Sequence, residues 1–359
     1  MKITLLLPDS KVGGAQNVLL RLSDEFVRHD SVTLLFLSSA GYLHKATPDG
    51  VRFRCLSPRE QLRIPDVFKV FLALVSYMRS NPDATILSTG TGTNILACAA
   101  RIFAPKGLRL VIREACSSKN SGAPTLAWMK RFFYPLADGM IGVSDGVTGE
   151  LRELAGGRRP VVSIPNPVDS ARLQALASLP DAALESFPHS YLLTVGRLVS
   201  QKNTGMLIEA FARISREVPE HLVVIGGGPL ESELRQQIAV LGLKSRVHLL
   251  GEIANPHPWY RRASAFVLSS DWEGYPNVLI EALAHDLKVI STDCEFGPRQ
   301  ILADGKFGEL VSVGDVKAMA ETIKSTLHGG GTVTPWNKES FSPQIVAARY
   351  VELMRSLAS

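Results

Sequence analysis

Short, mostly apolar runs of four to six residues recur along this chain, with longer amphipathic stretches between most of them. Continuous apolar runs suit strands buried on both faces. Parallel strands need a crossover, usually a helix, between each one and the next. The strands are expected at Ile3–Leu7, Val32–Leu37, Val51–Cys55, Thr85–Ser88, Leu108–Ile112, Gly139–Val143 and Val161–Ile164. A second series follows at Tyr191–Val195, Leu222–Ile225, Val247–Leu250, Ala265–Leu268, Lys288–Ser291 and Gly308–Val311. Crossover helices are expected at stretches such as Ala15–Val27, Val67–Arg79, Thr125–Leu136 and Thr204–Val218. The pattern predicts an α/β fold of doubly wound parallel sheets.

At 359 residues the chain exceeds one ordinary core, so two domains are expected. Pro165-Asn166-Pro167-Val168-Asp169 interrupts regular structure, and a polar stretch follows to about Pro188. The expected division is 1–168 and 169–342, with a cleft between two Rossmann-like domains and a closing helix over 343–359. Residues 329–340 read as a loop.

Charge separates the halves. Residues 1–170 hold 21 Lys and Arg against 14 Asp and Glu, a net +7, whereas the remainder is −2. A basic first half suits an anionic partner such as a phosphate-bearing acceptor or an acidic membrane surface. The stripe Pro65–Met78, with Phe68, Phe71 and Leu72 beside Lys69, fits an acidic membrane or simply a buried helix face. Trp128–Tyr134 reads the same two ways. The four cysteines are widely spaced, against a zinc site or disulfide framework and in keeping with a cytoplasmic protein. Met1–Pro8 reads as a first buried strand rather than a signal peptide, and no apolar run is long enough to span a bilayer.

The stretch from Ser270 to Ala282 (SDWEGYPNVLIEA) carries the most chemistry. A strand ends at Ser269-Ser270, the chain turns through Gly274 and Tyr275, and Pro276 is expected to open a helix as its first residue. The N–H groups of Asn277, Val278 and Leu279 then face an anion at the positive helix end. Glu273 and Glu281 flank that point, each able to grip hydroxyls on either side of a diphosphate. Upstream, Arg197 and Lys202 follow a strand in Val195–Asn203, where a guanidinium fork and an ammonium point charge suit a diphosphate. Gly226–Pro229 is a glycine turn without the GxGxxG spacing of dinucleotide sites. Gly13, Gly14 and Gln16 lie in the first strand-to-helix loop. Arg113 and Glu114 end another strand, where they either pair with each other or face substrate. Arg299 is placed to reach a phosphate or sugar, and Ile253 lies where a planar base would rest. His248 and His257 read as structural.

These motifs together resemble the retaining glycosyltransferases of family GT4, which have the GT-B fold. The similar parts are Gly13–Gln16, Ala137-Asp138 to Val143-Ser144, Ile164–Asp169, Gly196-Arg197 with Gln201–Asn203, Gly226–Pro229, and Glu273 to Glu281. The resemblance implies that Arg197 and Lys202 bind the donor diphosphate, Glu281 the ribose and Glu273 the transferred sugar, with Ile253 beside the nucleobase. It implies a closing helix that crosses back to the first domain. No metal and no cofactor beyond a UDP-sugar co-substrate are implied. Many relatives carry histidine where this chain has Arg113-Glu114-Ala115; others read Arg-Glu there. The Ser291–Arg299 run resembles enzymes of bacterial lipid-linked oligosaccharide assembly. The expected activity is transfer of a hexose or N-acetylhexosamine from a UDP-sugar to a glycan or polyprenyl-diphosphate-linked acceptor at the cytoplasmic membrane face, with no nucleic-acid partner. A UDP-sugar 2-epimerase or a non-catalytic sugar-nucleotide-binding subunit are the alternatives.

Overall fold

The computed structural model describes residues 1–9, 14–39, 48–60, 63–116, 124–330 and 334–357. They form two compact units, Met1–Pro167 with Glu339–Ser359, and Val168–Lys338. The first is built on β1 (Lys2–Leu7), β2 (Ser31–Phe36), β3 (Arg52–Cys55), β4 (Ala84–Thr89), β5 (Arg109–Glu114), β6 (Gly139–Gly142) and β7 (Val161–Ser163). Their spatial order is β3-β2-β1-β4-β5-β6-β7, and every neighbouring pair is parallel. Ile3, Leu5, Leu34, Leu87, Val111 and Ile141 supply one continuous core.

The last helix, Pro343–Ser356, belongs to this first unit. Ser342 caps it by accepting from Ile345 N, and Pro343 opens it at no cost in hydrogen bonds. Its Val346, Tyr350 and Met354 are buried in the same core as β1, and the Tyr350 ring meets Phe26 edge-on at 6.3 Å.

The second unit is built on β8 (Tyr191–Val195), β9 (His221–Ile225), β10 (Val247–Leu249), β11 (Ala265–Leu268), β12 (Val289–Thr292) and β13 (Glu309–Val311). The order is β10-β9-β8-β11-β12-β13, again all parallel. In each sheet the winding reverses once, between β1 and β4 and between β8 and β11. Ligands of open parallel sheets bind beyond the strand carboxyl ends at such reversals.

Two local expectations are corrected. The polar stretch after Asp169 is not a bare connector: it forms helices Ser170–Ala177 and Ala182–Glu185, capped by Asp169 and Asp181. Leu173 and Leu184 bury there, and Asp181 accepts from the Trp259 indole at 3.1 Å. Capping side chains made this segment polar, not a lack of structure. Pro276, moreover, is the extended N-cap residue of helix Asn277–Ala284 rather than its first turn.

Candidate active site

Both halves of the site in the second unit follow adjacent strands. The loop after β8 carries Arg197, Gln201, Lys202 and Asn203; the loop after β11 carries Ser269 to Tyr275. Sheet pairing of β8 with β11 brings them side by side. Lys202 Nζ donates directly to Glu273 Oε1, and Ser270 Oγ donates to the same oxygen at 2.7 Å. Glu273 is buried and Lys202 half-buried, so water screens the pair only from the ammonium side.

Three further bonds strap the loops together. Gln201 Nε2 donates to Trp272 O at 2.8 Å, Asp271 N to Gln201 O at 2.9 Å, and Asn203 Nδ2 to Asp271 Oδ1 at 2.7 Å. Asn203 sits at φ 44°, a left-handed conformation that asparagine tolerates, and caps helix Thr204–Ile214 by accepting from Met206 N. Below Glu273, Thr292 Oγ1 on β12 donates to Ser270 O at 2.6 Å. Cys294 lies nearby; burial and then the Glu273 charge push its thiol up to about 12. From sequence, Gln201 and Asn203 stood only within the glycosyltransferase-like motif, and Ser270, Asp271 and Thr292 were given no role of their own. Their signal is only that short polar residues crowd the two loops where apolar strands end.

Arg197 is exposed, and among the described residues its guanidinium has no hydrogen-bonding or ionic partner. Gly226 packs so tightly that a Cβ would stand 2.0 Å from Gly196 O, and its φ of 137° already excludes ordinary side chains. Gly226 N also donates to Gly251 O at 2.7 Å. This glycine therefore joins the Arg197 loop to the loop that leads to half-buried Ile253. Gly297 holds a similar place against Gly274: a Cβ there would stand 2.7 Å from Pro276 Cδ and 3.1 Å from Gly274 O.

At the start of helix Asn277–Ala284, Leu279 N is already bonded to Pro276 O at 3.1 Å, so it is withdrawn from the expected set of anion donors. Asn277 and Val278 form the first turn. Tyr275 and Leu279 are buried and Glu281 is half-buried. Burial and then the Glu281 charge hold the Tyr260 phenol well above its usual range. Tyr260 also stacks on His285, and His285 faces His257 at 3.3 Å between ring nitrogens.

Arg113 and Glu114 are corrected most. They are the last two residues of β5, ending the strand as expected, and successive strand residues face opposite sides of a sheet. Both are buried, and each pairs with other side chains rather than with its neighbour. Arg113 donates to Tyr350 Oη and Thr89 Oγ1, each at 3.1 Å, and to Asn166 Oδ1. Glu114 pairs with Lys130 at 3.2 Å and accepts from Tyr134 Oη and Thr91 Oγ1. Arg299 is likewise engaged, bonded to Asp293 and Asp304 on the surface. Gln16 reaches Asp9 at 3.4 Å and Gly14 opens helix Gly14–Phe26, while Gly13 lies outside the described residues. His248 is not solitary: it faces His221 at 2.8 Å, with His189 stacked on His221 at 3.8 Å. Among the described residues no group of three or more His, Cys, Asp or Glu is arranged to hold a metal ion.

Residues 12–172 match the family profile described as Glycosyltransferase Family 4, and residues 189–328 match the one described as Glycosyl transferases group 1. These matches make the chain a family 4-like glycosyltransferase. Among family relatives is the Campylobacter jejuni N-acetylgalactosamine-N,N'-diacetylbacillosaminyl-diphospho-undecaprenol 4-alpha-N-acetylgalactosaminyltransferase. It is 34% identical over 65% of this chain and 64% of its own. A second Campylobacter jejuni enzyme, named as an undecaprenol-linked alpha-1,4-N-acetyl-D-galactosaminyltransferase, is 27% identical over 96% of this chain and 92% of its own. Two relatives are matched over less than two thirds of their own length, 35% and 64%. The structure of HepE from Anabaena in complex with UDP superposes with a TM-score of 0.81, covering 99% of this chain and 100% of that one at 18% identity. That likeness shows a shared fold, the GT-B arrangement of two parallel-sheet domains.

Proposed function

We propose that this family 4-like glycosyltransferase moves a hexose or N-acetylhexosamine from a UDP-sugar to a glycan or polyprenyl-diphosphate-linked acceptor, retaining anomeric configuration and using no metal ion. The observation that carries this reading is the Lys202–Glu273 pair at the β8–β11 reversal, with the open Arg197 guanidinium on the same loop. Names of the Campylobacter jejuni relatives support a lipid-linked acceptor, and the UDP-bound Anabaena structure supports a uridine nucleotide.

The second unit holds the donor. Arg197 and Lys202 face the diphosphate, the turn at Asn277-Val278 offers the positive end of a helix, and Glu281 accepts from the ribose hydroxyls. Glu273 accepts from a hydroxyl of the sugar, fixed for that task by Ser270. As the C1–O bond to phosphate breaks, its electron pair leaves with UDP, and the two cations neutralise the growing charge. The acceptor hydroxyl oxygen bonds to C1 on the same face, and its proton passes to the departing phosphate oxygen. The basic first unit receives the acceptor at the cytoplasmic membrane face.

The test is a panel of UDP-hexoses and UDP-N-acetylhexosamines offered with polyprenyl-diphosphate-linked glycans in the presence of EDTA. Acceptor-dependent UDP release and a product anomer matching the donor are expected. An inverted product, or activity abolished by EDTA and restored by manganese, overturns the retaining or metal-free reading respectively. Conversion of the donor to its 2-epimer without acceptor overturns transfer itself.

A further inference from the structure

Lys202 carries one positive charge and has two acids to serve. Its ammonium donates to Glu273 Oε1, and under the proposed function it also faces the donor diphosphate. The backbone cannot shift to reach both. Lys202 N donates to Val199 O at 3.0 Å, and Lys202 O accepts from Ser269 Oγ at 2.9 Å. The stem runs along Gly196, where a Cβ would stand 3.6 Å from Lys202 Cε. Only rotation of the side chain moves the charge. The other partner is fixed as well. Trp272 bridges to Glu295, Glu273 N donates to Glu295 O at 3.4 Å, and the Glu273 carboxylate is buried.

Both side-chain donors to Glu273 sit on one oxygen. Lys202 Nζ and Ser270 Oγ bond to Oε1, and among the described residues Oε2 has no hydrogen-bond partner. A buried carboxylate needs donors, and losing an ionic one costs more than losing a neutral one. An ammonium drawn away to a diphosphate leaves Glu273 with Ser270 as its side-chain donor. A ligand that brings a hydroxyl to Oε2 replaces what was lost, whereas one that ends at the diphosphate does not. An intact UDP-sugar is the first kind and UDP is the second.

We propose that the Lys202–Glu273 pair makes the site select intact UDP-sugar over UDP, because the pair has to open for either and only the sugar satisfies the carboxylate left behind. Once the sugar has moved to the acceptor, the pair re-forms and helps UDP leave. Selectivity of this kind comes from what the wrong ligand leaves unpaired. The inference rests on the donor site of the proposed function and adds to it a role in product release.

The test is calorimetric titration of UDP into the full chain and its variants, with no acceptor present. Glu273→Gln frees the ammonium, so UDP should bind at least about tenfold tighter, the size of one hydrogen bond to a charged group. In a Lys202→Met background the same change should gain less than about twofold, there being no ammonium to free. Ser270→Ala makes Lys202 the remaining side-chain donor to Glu273, and UDP should bind about threefold more weakly or worse. UDP-glucose, UDP-galactose and the two corresponding UDP-N-acetylhexosamines are titrated in parallel. Those that bind the parent chain should lose at least about tenfold relative to UDP in Glu273→Gln. Cooperative melts show that each variant is folded. A parent chain that does not bind UDP overturns the donor site itself. Where the parent binds UDP, an unchanged affinity in Glu273→Gln, no weakening with Ser270→Ala, or an unchanged ratio of UDP-sugar to UDP overturns the exchange alone. So does an equal gain in the Lys202→Met background, which assigns the effect to plain repulsion between Glu273 and the diphosphate.

Discussion

Removing the Lys202 ammonium tests the geometry on which the donor site stands. Lys202→Met keeps most of the stem and leaves Glu273, a buried carboxylate, with Ser270 Oγ as its side-chain donor. Breaking a fully buried pair costs about 3–5 kcal/mol. Here the ammonium side is 18% exposed, so water returns part of that, and a loss of about 2 kcal/mol is expected. For a unit of this size that lowers the midpoint by about 4–8 °C. Glu273→Gln should cost about 1 kcal/mol, because the amide oxygen still accepts from Ser270 while Lys202 turns to water. The double variant should then recover about 1–2 kcal/mol relative to additivity. Trp259, Trp272 and Trp336 lie in the second unit and Trp128 in the first, so fluorescence melts in a Trp128→Phe background report the second unit alone. A coupling below about 0.5 kcal/mol refutes the pair and removes the support it gives to the donor site.

Arg197→Ala should lower kcat/KM for the charged donor by about a hundredfold, since no other group among the described residues holds its guanidinium; an unchanged value removes it from the diphosphate site. Gly226→Ala should destabilise the second unit by more than about 3 kcal/mol, through the clash with Gly196 O and the positive φ. Gly227→Ala, which meets only the flexible Glu252 side chain at 3.1 Å, should cost under about 1 kcal/mol; similar melts for the two would refute the account. Arg113→Lys cannot serve Tyr350, Thr89 and Asn166 at once, so the first unit should lose about 2–3 kcal/mol in urea while UDP binding measured by calorimetry stays. Burial, the adjacent His189 and His248 and then Arg246 press the His221 imidazole down from 6.5 to about 4. The fold holds that ring neutral and the unfolded chain protonates it first. Stability is therefore full above about pH 6.5 and falls as pH drops toward about 4; His221→Asn should flatten that slope in pH-dependent melts.

Most strands were legible because buried parallel strands demand apolar runs, although edge strand β3, Arg-Phe-Arg-Cys, is not one. Buried charges were not legible. β5 ends in Arg113 and Glu114, whose charges disguise two buried positions that find neutral and ionic partners on opposite faces. Lys130 misled in the same way: in sequence it belongs to a basic stripe, yet it turns inward to Glu114. Of the candidate site, Lys202 and Glu273 were visible from residue type and spacing, but the direct bond between them is set by sheet order, which no local window contains. The polar turn at 169–188 hid two short capped helices, since a cap and a linker draw on the same residues. The contact of His248 with His221 arises only because β10 pairs with β9, which no local window contains.

The strap of Gln201 and Asn203 onto Trp272 and Asp271 also bears on how this chain can be re-engineered. Two segments some seventy residues apart are bolted into one rigid jaw, so neither can be replaced without its mate. A chimera that imports one loop from a relative inherits broken bolts and a misaligned grip, whatever its new side chains recognise. Transplanting both loops, with the capping asparagine kept, is the smallest graft that preserves the jaw.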